Sequence, residues 1–249
     1  LFALETKFEF LKLWRAKSFS LAVIGFPVMF YALFGIANRG NTMGASAIQV
    51  SKYMLAGYCC FGMIGAALFG IGVGLGSERA AGWLELKRAS PMPPMAYLVA
   101  KCVTAQAFGL IITAILTAIG VFAGGVQVTG AELALMFGLA AVGTVPFAAM
   151  GLLVALLVPP AAAPGIVNLL YLPMSFMGGL WIPIEYLPKW LQGIAPAMPT
   201  YHLGQLMLTI FGYQTKSSVA SYHWMSLAGF LMLMLGVSWA VWQRAEQDA

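Results

Sequence analysis

The sequence predicts an all-α membrane protein with six transmembrane helices. To these it adds an N-terminal amphipathic surface helix, a charged cytoplasmic helix and an outer re-entrant helical segment. Three observations predict this. Of 249 residues, 61% are apolar and 8% charged, with a mean hydropathy of +0.87. A soluble domain carries about 25% charged residues, so this chain cannot surround itself with water. Six apolar runs, at 19–37, 53–75, 97–123, 133–158, 163–182 and 223–242, approach the length of about 20 residues that a spanning helix needs. They are continuous, unlike the alternating strands of about ten residues in a membrane barrel.

Residues 1–17 read as a helix on the inner membrane surface. Glu5, Glu9 and Lys12 share a polar stripe, while Leu4, Phe8 and Leu11 recur at helical spacing on another face. Trp14 suits the headgroup level, and Lys7, Arg15 and Lys17 can reach acidic lipids. The run at 19–37 is longer than the apolar core of a cleaved signal peptide, so it reads as a span. In the second run Gly62, Ala66, Gly70 and Gly74 repeat every four residues, a seam where another helix can approach closely.

Basic residues set the orientation, because cytoplasmic connections carry the excess. With the N-terminus inside, the inner side holds Lys7, Lys12, Arg15, Lys17, Arg79, Lys87, Arg88, Lys101 and Arg244. The outer side holds Arg39, Lys52, Lys189 and Lys216. The division predicts a multi-pass protein of the plasma membrane with both termini cytoplasmic. The net charge of +5 is spread over these connections, which points to topology and away from nucleic acid.

Several chemistries lack their residues. Cys59, Cys60 and Cys102 have no metal-ligand spacing, and the two histidines, His202 and His223, form no HExxH. Gly44-Ala45-Ser46-Ala47 has no base partner for a nucleophile. Gly70-Ile-Gly72-Val-Gly74-Leu-Gly76 fails the phosphate-loop spacing, and no GxxxxGK[ST] occurs. No ionisable residue falls near a membrane centre, with Glu132 and Lys101 at helix ends, which argues against proton coupling. Any energy for transport therefore comes from another polypeptide.

The longest charged connection runs from Gly76 to Lys101. Ser77 reads as a helix N-cap with Glu78 in the first turn, and Ser90-Pro91 as the stop. That helix is expected to display Glu78, Arg79, Glu85, Lys87 and Arg88 to the cytoplasm. The segment resembles the coupling segment of type-2 ABC exporter permeases, which carries an E-R-x-x-G-x-L-E pattern, then S-P and a later Lys. Glu78, Arg79, Gly82, Leu84, Glu85, Ser90, Pro91 and Lys101 match it, while Trp83 stands where the family has a small residue or Thr. Between the last two spans, Gly179, Pro183, Leu187, Pro188, Trp190 and Leu191 match a second family pattern, that of short outer re-entrant helices. Prolines at 183 and 188 suit helix starts there.

The resemblance implies the permease subunit of an exporter, with no cofactor of its own; ATP and Mg2+ sit on a separate P-loop ATPase present in two copies. It implies pairing with a second copy of the chain. Coupling contacts are expected at Glu78, Arg79, Gly82, Glu85, Lys87 and Arg88, and an outer gate at Pro183, Pro188 and Trp190. A substrate path between the second and fifth spans is expected at Phe61, Phe69, Asn168, Tyr171 and Phe176, for a small-molecule drug or lipid. The alternatives are a non-transporting scaffold or assembly factor, or a polysaccharide or ion exporter permease of the same family.

Overall fold

The computed structural model describes residues 2–43, 48–83, 93–213 and 219–247. The Gly44-to-Ala47 stretch and Glu85, Lys87, Arg88 and Ser90-Pro91 lie outside them. Helix α1 (Phe2–Arg15) breaks at Ala16 and leads into α2 (Lys17–Ile36). A small antiparallel hairpin, β1 (Thr42–Met43) and β2 (Ile48–Gln49), pairs Thr42 with Gln49. Then come α3 (Val50–Ala80), α4 (Pro94–Phe122), α5 (Gly130–Leu157) and α6 (Ala163–Met177). Two short helices, α7 (Lys189–Ile194) and α8 (Pro199–Ile210), precede α9 (Ala220–Gln247).

The chain is a mostly helical, multi-pass membrane protein. Five described helices, α2, α3, α4, α5 and α9, are long and apolar enough to cross a bilayer. The sixth expected crossing, 163–182, holds only the 15-residue α6. That helix is about 22 Å long, short of a hydrocarbon core of about 30 Å.

The core is built around α3, whose residues from Leu55 to Ala67 are all buried. α4 packs along one side of it, and α5, α6 and α8 along others. α9 touches only α5 and α8 among the closely packed pairs and leaves Trp224, Met225, Met232, Leu233 and Trp239 exposed, as a lipid-facing helix does. α1 and the start of α2 are fastened to α4 by aromatic contacts. Phe10 and Phe19 lie with ring centroids 5.4 Å from Phe108, and Trp14 lies 6.2 Å from it. The opposite face of α1 exposes Leu4 and Phe8.

Close helix approach follows the small residues, on two seams. Along the expected one, a Cβ at Gly62 would strike Ile112 of α4, and one at Gly70 would lie 3.6 Å from Phe19. Gly74 leaves this seam, since a Cβ there would meet only the Phe69 carbonyl of its own helix. The second seam was not visible in the four-residue repeat. Gly57 lies under the Leu180 carbonyl, Gly65 against Tyr171, and Gly72 against Gly151 of α5. A wide π-helical stretch, Leu68–Val73, separates the two halves of α3. One extra residue in a turn rotates everything after it by about 100°, so the register of the upper half does not predict the faces of the lower half.

Candidate functional site

At the α1 end of the bundle, three buried charged side chains meet a fourth that reaches in from the surface. Lys101 of α4 is 2% exposed, Glu9 of α1 5% and Glu78 of α3 9%. Lys101 Nζ donates to Glu9 Oε1 at 2.6 Å and to Glu78 at 3.1 Å. Lys12 pairs with Glu78 and lies 3.7 Å from Glu9. Lys101 also sits 4.9 Å from the Tyr97 ring centroid. Among the described residues the cluster sets two carboxylates against two ammonium groups, and Lys12 is the member at solvent. Buried charge is tolerated only when paired and hydrogen-bonded in this way.

This geometry corrects the reading of Ser77 and Glu78. Ser77 is not an N-cap. Its hydroxyl donates back to the Val73 carbonyl at 2.9 Å, and residues 74–80 continue α3. Glu78 therefore turns into the bundle and not towards solvent. Arg79 points the other way, donating to the Leu156 carbonyl at 3.0 Å and the Ala155 carbonyl at 3.5 Å at the end of α5. A cation at a helix C-terminus satisfies carbonyls that have no partner in their own helix. Beside it opens a cavity of about 240 Å³, lined by Gly76, Arg79, Ala80, Leu157, Val158 and Pro159. Gly82 ends the run with φ +72°, left-handed backbone that glycine adopts at no steric cost. Trp83, beyond it, is exposed.

Midway along the bundle, the structure gathers most of the residues expected on a substrate path. Phe61 and Tyr171 stack at 4.4 Å with planes 14° apart, and the Tyr171 hydroxyl donates to the Phe61 carbonyl at 2.5 Å. Phe69 meets Tyr171 edge-on at 6.1 Å. Phe176 joins through Trp181, which lies 6.4 Å from Phe176 and 5.4 Å from Phe61. Asn168 stands apart, exposed on α6 with no hydrogen bond among the described residues. Phe30 and Tyr58 extend the aromatic group, Phe30 stacking on Tyr58 and Trp181. Neither was singled out in the sequence, since a Phe in an apolar run carries no signal of its own. The indole Nε1 of Trp181 is buried without an acceptor among the described residues.

The opposite end is closed by 178–213. Pro183 and Pro188 each precede a short helical turn, at Ile184–Tyr186 and Lys189–Ile194. Pro183 is buried, whereas Pro188 and Trp190 are exposed. The Tyr53 hydroxyl donates to the Gly179 carbonyl, and Thr200 Oγ1 to the Met174 carbonyl at 2.5 Å. The Tyr213 hydroxyl donates to Glu185 at 3.0 Å; burial first, then that carboxylate, push its pKa up to about 12. Lys52 bonds Glu132 at 2.8 Å, and Glu132 closes a capping box with Thr129 at the start of α5. His202 and His223 meet in a buried pair.

Two comparisons bear on this arrangement. The chain is 28% identical over 197 residues to YvfS of Bacillus subtilis (strain 168), named as a transport permease, which covers 79% of each chain. The family model described as ABC-2 type transporter matches residues 1–212, which takes in the charge cluster, the aromatic group and the 178–212 cap. That family is the non-catalytic membrane component of its transporters. The chain accordingly belongs to the ABC-2 type transporter family, as a membrane permease and not an enzyme.

Proposed function

We propose that this permease is the membrane half of an ATP-driven exporter in the plasma membrane, the bacterial inner membrane being the expected site. Two copies pair, and each binds a separate P-loop ATPase at the α1 end, which is the cytoplasmic end. Both termini lie there, α1 rests on the inner leaflet, and α6 with the segment after it completes a sixth crossing. The single observation that carries this reading is the buried charge cluster. It joins α1, the end of α3 and the start of α4, the last two being the elements that flank Glu85, Lys87 and Arg88 in the sequence.

An ATPase pair closing on ATP would move that segment, and the cluster would pass the movement to three helices at once. For such closure to favour one state over another, the ATPase only has to bind that state better by a few kcal/mol. Arg79 and its neighbouring cavity offer a second contact, and Trp83 an exposed apolar one. The substrate is a hydrophobic or amphipathic molecule of drug or lipid class. It would enter where Phe61 and Tyr171 now close on each other, offering an acceptor to the unpaired indole N–H of Trp181. The cap at 178–213 acts as the outer gate.

The test is charge reversal at Glu85 in the chain co-expressed with the ATPase encoded beside it. Glu85→Lys should abolish ATPase stimulation and co-purification while membrane insertion stays intact. Wild-type turnover and complex recovery in the variant would leave a scaffold as the better reading.

A further inference from the structure

His202 and His223 lie 21 residues apart, yet their Nδ1 atoms are 2.8 Å apart, and the rings are 4% and 1% exposed. His202 Nε2 lies 2.9 Å from the Pro196 carbonyl, which can only accept. That fixes the proton on His202 Nε2 and leaves its Nδ1 bare. The bridge between the rings then needs the proton on His223 Nδ1, so His223 donates and its Nε2 is bare. This Nε2 is buried and has no partner among the described residues. The neutral pair is thus a single donor chain from His223 through His202 to Pro196.

The pair ties α8 to the start of α9, and α8 is a part of the cap that packs on the bundle. Leu203 of α8 packs on Gly143 of α5 and its carbonyl accepts from Cys60 Sγ at 3.7 Å, while Gly204 lies against Leu180. The other titratable groups facing the pair are Tyr201 and Tyr222, each edge-on to both rings. On the elements packed against α8, Lys52 and Glu132 are bonded to each other, and Tyr53 and Tyr171 donate to carbonyls. α5 adds only Glu132, the 195–197 turn adds no titratable group, and Arg244 of α9 lies near the far end of its helix. Among the described residues no carboxylate lies within ion-pair distance of either ring.

We propose that the His202–His223 pair is an acid-sensitive latch on the outer cap, closed when both rings are neutral and released when they are protonated. The first proton has one place to go, His223 Nε2, where it creates a buried N–H without an acceptor. A second, on His202 Nδ1, sets two N–H groups and two positive charges against each other and ends the bridge. Tyr222 and Trp224 beside His223 are exposed, so the ring can turn out to water. Burial lowers the pKa of His202 below its ordinary value, with the Pro196 contact acting the other way. The folded state therefore binds fewer protons than the open one. The latch is at full strength above about pH 6.5 and weakens as pH falls.

The acid-facing side is outer only on the reading proposed above, but the latch itself is tested without ATPase or substrate. Hydrogen exchange of the full chain in detergent would be followed between about pH 7.5 and 4.5, each rate corrected for intrinsic exchange. In the wild type, protection of 199–210 should fall by at least about tenfold more than that of α4. His223→Gln keeps an N–H donor for His202 and does not titrate, so its protection should stay level with pH. His223→Phe keeps the ring without the donor, so its protection should be low at every pH. A wild type with no selective loss, or a glutamine variant that loses protection as the wild type does, overturns the latch. Should the glutamine variant fail to fold, the phenylalanine variant and the wild-type profile decide between them. The exporter reading stands or falls separately, on Glu85.

Discussion

At its Ala80 end α3 is held by charge, with Glu78 against Lys101 and Lys12. At its Val50 end it is held by shape, with Gly57 under the Leu180 carbonyl and Tyr53 on the Gly179 carbonyl. The two fastenings respond differently to force. Ion pairs can exchange partners when another charged surface arrives, at little cost as long as each charge ends up paired. Packed backbone cannot yield by degrees; it moves as a unit or not at all. A helix loosened at one end and clamped at the other is suited to carry a push from the α1 end to the cap.

The largest expected effect breaks the charged end. Lys101→Met removes the buried ammonium that both Glu9 and Glu78 share, and leaves Lys12, which is exposed, as a cation beside them. Removing one partner of a buried pair costs about 3–5 kcal/mol, so the variant should melt far lower in detergent or fail to insert. The double variant Glu9→Leu with Lys101→Met should recover much of that loss, because Glu78 keeps Lys12. If the cluster transmits motion as well as holding the fold, the recovered protein will still not stimulate its ATPase. Full stimulation in the double variant would reduce the cluster to an anchor.

The charged end was half legible in the sequence. The Glu78-Arg79 and Lys101 positions stand out in the sequence, but Glu78 and Arg79 read as facing solvent because Ser77-Glu78 has the pattern of a helix start. A cap is worth only about 1 kcal/mol, and Ser77 instead sits inside the continuing helix with its hydroxyl on the Val73 carbonyl. Glu9 could not be found, since it meets Lys101 across 92 residues and looks from α1 alone like part of a surface stripe. The long apolar runs and the proline starts at 183 and 188 were legible because length and backbone donors are local properties. The clamp at Gly57 was not, because nothing near residue 57 announces the Leu180 backbone that passes over it.

A smaller effect tests that clamp. At Gly57 even one methyl group overlaps a backbone oxygen, which has no rotamer to escape into. Gly57→Ala should cost about 1–3 kcal/mol, read as a lower melting temperature, with the loss of hydrogen-exchange protection centred on 178–182. The comparison predicts that Lys101→Met leaves protection of 178–182 nearly unchanged once the charges are rebalanced. A loss of protection spread equally over both ends in either variant would mean that α3 is one uniform element, with no loose end and no clamp.

The smallest effect concerns charge at the clamped end. Lys52 and Glu132 are bonded at 2.8 Å, as closely as the pairs at the Ala80 end, but their side chains are 22% and 16% exposed, and Lys52 also lies 4.7 Å from the Phe211 ring centroid. Water reaches this pair, so its contribution should resemble that of a surface bridge, about 0.2–1 kcal/mol. Glu132→Gln removes the charge and keeps an N3 acceptor for the Thr129 capping box, so it isolates the ion pair from the cap of α5. Lys52→Met keeps the stem against Phe211 and removes the ammonium. A double-mutant cycle between them should give a coupling within that range, and the coupling should shrink as salt rises. A coupling as large as the loss at Lys101 would mean that charge fastens both ends of α3.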